Sequence, residues 1–373
     1  MILVVVFGIY TSISCIGSLA KPGVNTHSIN TDDTQGTTIF GKIRKSSIFG
    51  NEWTWLYHKV FTAQEQAQHD KQREIALTKI NVPLFSQLVF SWNAHRPQAG
   101  HFSFWVQVRD ASTGMWGKWH RMIDWGDRIQ RSYVSKPGGL SEYLHVRLEV
   151  SKGKADGFRI KVVAIDGVTL SLMHSLSVCL SDFARFSPEI VNDTHAQLPS
   201  LHITGVPKQS QFMLDHHRKE GLCSPTSCSM LVGFLTNTMI EPTEFAHRAF
   251  DTGLDAYGSW PFNMAHAFEK SKGTIHFATA RAPSFKDLYN KLAQGIPVAV
   301  SVRGPLEGAA SAYSSGHLLV VIGWDRARQS VICHDPAFAY NHAVEKRYPL
   351  QSFLKAWERS HRLVYLAEPC SKS

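Results

Sequence analysis

The alternation of apolar and polar positions changes character once along the chain. From about Thr38 to Leu180 it has a period of two: Phe102, Phe104, Val106 and Val108 are interleaved with Ser103, Trp105, Gln107 and Arg109, and Phe158, Ile160 and Val162 follow the same rule. That period puts every second side chain on one face, so these segments predict half-buried strands. Turn clusters at Arg96 to Gly100, Ser112 to Gly114 and Lys136 to Gly139 separate them, the punctuation of an antiparallel sandwich or jelly roll. Gln64 to Ile75 is polar and predicts a short helix or a long loop. Ser187 to Ser200 has no period and holds Pro188, Asn192, Asp193 and Pro199, which predicts a linker with a boundary near 195. Beyond it the pattern mixes helices and strands, with helices expected around Thr226 to Leu235, Phe262 to Lys270 and Ser284 to Ala293.

The expected architecture is therefore an N-terminal all-β sandwich or jelly roll over residues 25–190 and a C-terminal α+β domain over 200–373. A chain of 373 residues, 43% hydrophobic and 18% charged, is too long for one ordinary core and too apolar for disorder. Tryptophans crowd the first half: Trp53, Trp55, Trp92, Trp105, Trp116, Trp119 and Trp125. Burial in a sandwich core is the commoner fate of such residues, and stacking on sugars or peptides is the alternative.

The net charge of +9 arises from 39 Lys and Arg against 30 Asp and Glu. The basic residues are scattered, and no zinc-finger, P-loop or RNA-binding aromatic signature accompanies them, so a nucleic-acid partner is not expected. No run of about 20 apolar residues follows the first twenty, which excludes a multi-span membrane protein. Residues 1–20 are uncharged, carry the apolar run Ile2 to Ile9 and end in Ser18-Leu19-Ala20, the pattern of a signal peptide or N-terminal anchor. A lipid-modified Cys15 is a weaker alternative, because Ser12 occupies a position where an aliphatic residue is expected. Export to the periplasm, cell surface or medium is the expectation. It leaves Cys179, Cys223, Cys228, Cys333 and Cys370, an odd number in an oxidising compartment, so one thiol stays unpaired within the monomer.

The segment Gly221-Leu222-Cys223-Ser224-Pro225-Thr226-Ser227-Cys228 carries the candidate nucleophile. Pro225 fits the first helical position and Ser224 the N-cap, which places Cys223 just ahead of a helix N-terminus, where backbone N–H groups favour a thiolate. Cys228 falls inside the helix and reads as core. A thiolate needs a base, and the base needs an orienting group. His317 opens the apolar run Leu318 to Ile322, and Asp335 closes the run Val331 to His334. A hairpin turning at Arg326 makes 317 and 335 direct opposites on one face, with His334 on the other. An oxyanion donor besides the Cys223 backbone is also required; Gln211 is the candidate, with Gln209 as rival. Asp215-His216-His217 offers adjacent histidines that point apart, so no metal is expected there, and no cofactor motif is present.

The order Cys, His, Asp is that of papain-like peptidases. The chain resembles, over roughly residues 200 to 368, the papain-like cysteine peptidases related to those that trim double-glycine leader peptides, in a stand-alone exported form preceded by a β domain. The resemblance rests on Val206-Pro207 with Gln211, Cys223-Ser224-Pro225-Thr226-Ser227, Gly316 to Trp324, and His334-Asp335-Pro336-Ala337. It implies a papain-like fold and hydrolysis of a peptide or other amide bond, with Cys223 as nucleophile, His317 as general base, Asp335 as its orienting acid and Gln211 as oxyanion donor. Ser224 stands where the leader peptidases usually have Gly. The expected substrate is a peptide or protein, with a cell-surface or cell-wall ligand for the β domain. The alternatives are a non-catalytic surface-binding protein with this fold and a thiol acyltransferase. Ser259-Trp260-Pro261-Phe262-Asn263 looks like a segment found in exported relatives, and its chemistry suggests only a helix start.

Overall fold

The computed structural model describes residues 43–47, 52–135 and 138–370. The expected leader with Cys15, the start of the β region at 25 and Lys136-Pro137 lie outside them. Three antiparallel sheets and seven α-helices make up the rest. No helix among the described residues is long and apolar enough to cross a membrane.

Two sheets form the N-terminal region. One has five strands, in the order Glu74–Phe85, Ala155–Ile165, His101–Asp110, His120–Gly126, Gln130–Ser132. The other has seven, with Met173–Ser181 at its centre between Thr54–Val60 and Gln87–Ala94. The alternation seen in the sequence sends Phe104, Val106, Val108, Phe158, Ile160 and Val162 into the shared core, where they meet Leu88, Phe90 and Trp92 of the facing sheet. The polar stretch after Gln64 resolves into the helix Ala63–His69, closed by a capping box between Thr62 and Glu65, and the next strand begins at Glu74.

The third sheet carries the C-terminal region, in the order Ile275–Arg281, Leu363–Pro369, Val298–Gly304, Tyr313–Asp325, Ser330–His334, Glu345–Pro349. Its long strand Tyr313–Asp325 is covered on both faces, which is why Leu318 to Ile322 reads as an unbroken apolar run instead of an alternating one. Leu319, Val321 and Trp324 pack with the helices Phe285–Ala293 and Leu350–Glu358. Leu318, Val320 and Ile322 pack with the helix Cys223–Thr236, which is buried at every position from Ser224 to Gly233. The helices Pro242–Ala249 and Leu350–Glu358 have no counterpart in the sequence expectations.

The segment read as a linker is docked. Asn192 caps a short helix, Asp193–Gln197. The Glu189 carboxylate contacts His195 Nε2 at 2.8 Å and accepts from the Phe285 N–H at 2.8 Å, while Arg362 donates to the Ser187 carbonyl. The two regions also share a buried contact. Strand Gln87–Ala94 is buried at all eight positions: Leu88, Phe90 and Trp92 face the sandwich core, and Gln87, Ser91 and Asn93 face the C-terminal region. There the Asn93 amide accepts from the Phe277 N–H at 2.8 Å and donates to the Phe277 carbonyl at 3.0 Å. Ser91 accepts from the Thr279 N–H, and Gln87 accepts from Arg281. Asn93 and Ser91 thereby occupy hydrogen-bonding positions that the edge strand Ile275–Arg281 would otherwise leave open. The Trp260-Pro261-Phe262-Asn263 segment starts the helix Trp260–Lys270. Phe262 inserts into the N-terminal core edge-on to Trp92, so the segment anchors one region in the other. A side chain at Gly253 would put its Cβ 1.9 Å from the Ser132 carbonyl oxygen, a closeness only glycine allows.

Candidate active site

The helix carrying Cys223 begins two residues earlier than the sequence suggests. Cys223 is its first residue and Leu222 its N-cap, and Ser224 is a fully buried helical residue whose hydroxyl pairs with Tyr365 Oη at 2.9 Å. Pro225 still falls in the first turn, where a missing N–H costs nothing. Cys223 thus belongs to the turn whose amides are free, and it remains partly exposed while Cys179, Cys228 and Cys333 are buried. All five described cysteines are free thiols.

The hairpin places His317 and Asp335 differently from the simple register. Asp325 pairs with Ser330 across a four-residue loop in which Gln329 has φ +46° and Asp325 accepts from the Arg328 N–H. Val321 then faces Cys333 and Val320 faces His334, with a bulge at Ile322. The turn centre lies one residue later than Arg326, so Asp335 falls beyond the last pair and is diagonal to His317 instead of opposite. A displacement of two positions preserves the face, and the imidazole spans the diagonal: His317 Nε2 lies 2.7 Å from Asp335 Oδ1. His334 turns away, its Nδ1 3.0 Å from the Pro207 carbonyl oxygen.

Asp335 is fully buried and its two oxygens take four donors. Oδ1 accepts from His317 and the Ala337 N–H (2.9 Å), and Oδ2 accepts from Tyr313 (2.7 Å) and Tyr348 (2.6 Å). Burial raises its pKa, but the His317 charge and these bonds outweigh it and hold the carboxyl below its ordinary range. Tyr313 has a second contact, stacking on the His317 ring with centroids 4.1 Å apart and planes 20° apart. The sequence reasoning missed both tyrosines. Tyr313 shares strand parity with His317, and Tyr348 pairs with Val331 on the neighbouring strand, which puts it on the face of Asp335.

With Nε2 committed to Asp335, Nδ1 is left for the sulfur. Burial disfavours the imidazolium, yet the Asp335 carboxylate and the hydrogen bond to Cys223 push the His317 pKa up to about 10. Burial also disfavours the thiolate, and here the His317 hydrogen bond and charge, with the Leu318 and Ser224 N–H groups, bring the Cys223 thiol below its ordinary range. The two shifts run in the same sense, each favouring the charged form of its group.

Gln211 lies beside this group, buried, with its backbone N–H on the Pro336 carbonyl. Its side-chain amide donates to the carbonyls of Lys219 (3.1 Å) and Glu220 (3.0 Å), so both protons hold the loop that leads into Cys223, and its Oε1 is buried without a partner. Gln209 donates to Ile240 instead. The adjacent histidines do not point apart: His216 and His217 stack at 4.7 Å, because residues 214–219 form tight turns rather than a strand. His216 is occupied by the Arg218 N–H and Tyr257. Among the described residues no group of three or more His, Cys, Asp and Glu is placed to hold a metal.

Residues 203–365, which include all four sequence-derived candidates, match the model of the Peptidase_C39 like family. The match relates this region to the papain-like cysteine peptidases. No curated protein matches the chain.

Proposed function

We propose that the protein is an exported cysteine peptidase that cleaves a peptide or other amide bond through Cys223, His317 and Asp335. The Cys223 thiolate attacks the carbonyl carbon and the His317 imidazolium protonates the departing amine, leaving a thioester. His317 then takes a proton from water as the water oxygen attacks, and the acid product leaves with the thiol restored. Developing negative charge on the carbonyl oxygen falls near the Cys223 backbone N–H at the start of Cys223–Thr236. Gln211 joins it as a donor once the substrate oxygen draws one of its two amide protons from the Lys219 or Glu220 carbonyl. Export rests on the composition of residues 1–20.

The observation that carries the reading is a partly exposed thiol beside a histidine that is itself fixed on a buried carboxylate. Iodoacetamide labelling followed by peptide mapping tests it. Cys223 should react at a pH where Cys370 is silent, since burial pushes the Cys370 thiol up, and His317→Ala should remove that advantage. Equal rates at Cys223 and Cys370 would sink the reading. Peptide hydrolysis should fall on the acid side as Cys223 takes up a proton, below the ordinary thiol range, and on the alkaline side near pH 10 as His317 loses one.

A further inference from the structure

The five-stranded sheet turns one face to the sandwich core. Its other face carries a different set of residues, which the hydrolytic chemistry does not use. Trp105 pairs across to Lys161 on one side and Arg121 on the other, Gln107 pairs to Arg159, and Asp124 pairs to Arg131. The loop after His101–Asp110 adds Trp116, bridged to Arg109, and Trp119. Trp53, Trp55, Trp92 and Trp125 are buried, whereas Trp105, Trp116 and Trp119 are only half-buried.

Each of these rings lies under a cation. The Arg159 guanidinium is 3.9 Å from the Trp116 centroid, and Lys161 is 4.9 Å from that of Trp119. Arg121 and Arg131 lie 4.7 Å and 5.6 Å from Tyr133. Three of the five cations on this face meet a carboxylate: Arg109 with Asp156, Arg121 with Asp124, and Lys161 with Glu74 at 3.8 Å. Arg131 and Arg159 have no carboxylate partner among the described residues. Arg159 is held by the Trp116 ring and by one bond from Nη1 to Gln107 Oε1 at 3.2 Å, which leaves its other N–H groups to meet a carboxylate or sulfate. Asp156 Oδ1, on the same face, is buried without a donor.

Arg159 and Arg131 are separated by three strand spacings and by four residues along His101–Asp110, about 20 Å. Two anion receptors that far apart, with indoles between them, suit an extended chain that repeats its charge and presents apolar C–H faces between the charges. We propose that this face binds an acidic polysaccharide, with Arg159 and Arg131 on its carboxylates and the half-buried aromatic rings holding those cations in place. Charge complementarity selects this occupant over a nucleic acid. Affinity for a phosphodiester backbone grows with the number of phosphates neutralised, and here Asp124, Asp156 and Glu74 already occupy most of the cations.

The test is native affinity electrophoresis of the full chain through polygalacturonate, alginate, hyaluronate and neutral dextran, with a single-stranded oligonucleotide measured alongside by titration. The expectation is retardation by at least one acidic polysaccharide and none by dextran. Arg159→Gln and Arg131→Gln should each weaken binding by about five- to tenfold, and Trp116→Ala, which removes the rest for Arg159, should do the same. Thermal midpoints and Cys223 alkylation should be unchanged in all three variants. Absence of retardation by every acidic polysaccharide, binding that survives both arginine substitutions, or tighter binding of the oligonucleotide would each overturn the proposal.

Discussion

Two buried polar clusters occupy opposite ends of the C-terminal sheet, and they solve the same problem in different ways. At Asp335 a full charge is taken out of water and matched by four donors, one of them the His317 ring. At the far edge Asn93 and Ser91 satisfy the backbone of Ile275–Arg281 with a neutral amide and a hydroxyl, while Gln87 accepts from the buried Arg281 guanidinium, and burial pushes the nearby His58, His174 and His276 down to about 4. A buried charge pair can hold a reactive state, because removing either partner strands the other. The bonds from Asn93 and Ser91 to the strand backbone join neutral groups and hold shape. The cluster built on a histidine–carboxylate pair is the one that leaves a sulfur within reach of solvent.

The sharpest way to break this contrast is to remove the sulfur. Cys223→Ala should reduce peptide hydrolysis by at least about 10³-fold and leave the urea midpoint nearly unchanged. At the other cluster the effects should reverse. Asn93→Ala strands the Phe277 N–H and carbonyl and should cost about 2–4 kcal/mol in urea denaturation, while the folded fraction keeps its alkylation rate at Cys223. A loss of reactivity matching the loss of stability would show the two clusters to be one unit.

Tyr313→Phe sharpens the comparison within the charged cluster. It keeps the ring on His317 and deletes one of the four donors to Asp335, so kcat should fall about tenfold with little change in KM. Tyr313→Leu, which also removes the stacking, should fall further. Equal activity in wild type and the Phe variant would assign the orientation of His317 to Asp335 and Tyr348 alone.

A last effect, on stability and not on chemistry, is expected from pH at the far cluster. The ordinary histidine value of 6.5 applies to the unfolded chain, and His58, His174 and His276 are held near 4 in the fold. Above 6.5 neither state binds the proton. As pH falls from 6.5 towards 4 the unfolded chain takes it up first, so stability declines over that window. The thermal midpoint should drop by a few degrees between pH 7 and 5, and His58→Gln should flatten the slope.

How much of this was legible in the sequence follows from the range of the interactions. The strand alternation around Phe104 and Phe158, the helix ahead of Leu235 and the His317–Asp335 contact were readable, because each is local or is fixed by one hairpin. The helix start at Cys223 was misplaced by two residues, because Leu222 caps it through backbone geometry without a side-chain bond. The hairpin centre was misplaced by one, because Gln329 takes a left-handed turn that no glycine announces. Tyr348 and the Asn93 contact were out of reach: Tyr348 is close in sequence to Asp335 but its residue type does not signal the contact, and Asn93 meets a strand 184 residues away. Phe262 was visible as part of an unusual segment, but its destination, the core of the other region, depends on packing that no periodicity encodes.

The covered edge of Ile275–Arg281 has a consequence for anyone who cuts the molecule in two. A fragment starting near residue 195 would bare an unpaired ladder beside the extruded Phe262 ring, a template on which further copies can polymerise. The N-terminal half thus acts as a built-in guard against filament growth, and a nick in residues 187–200 should yield two pieces that migrate together until a denaturant parts them.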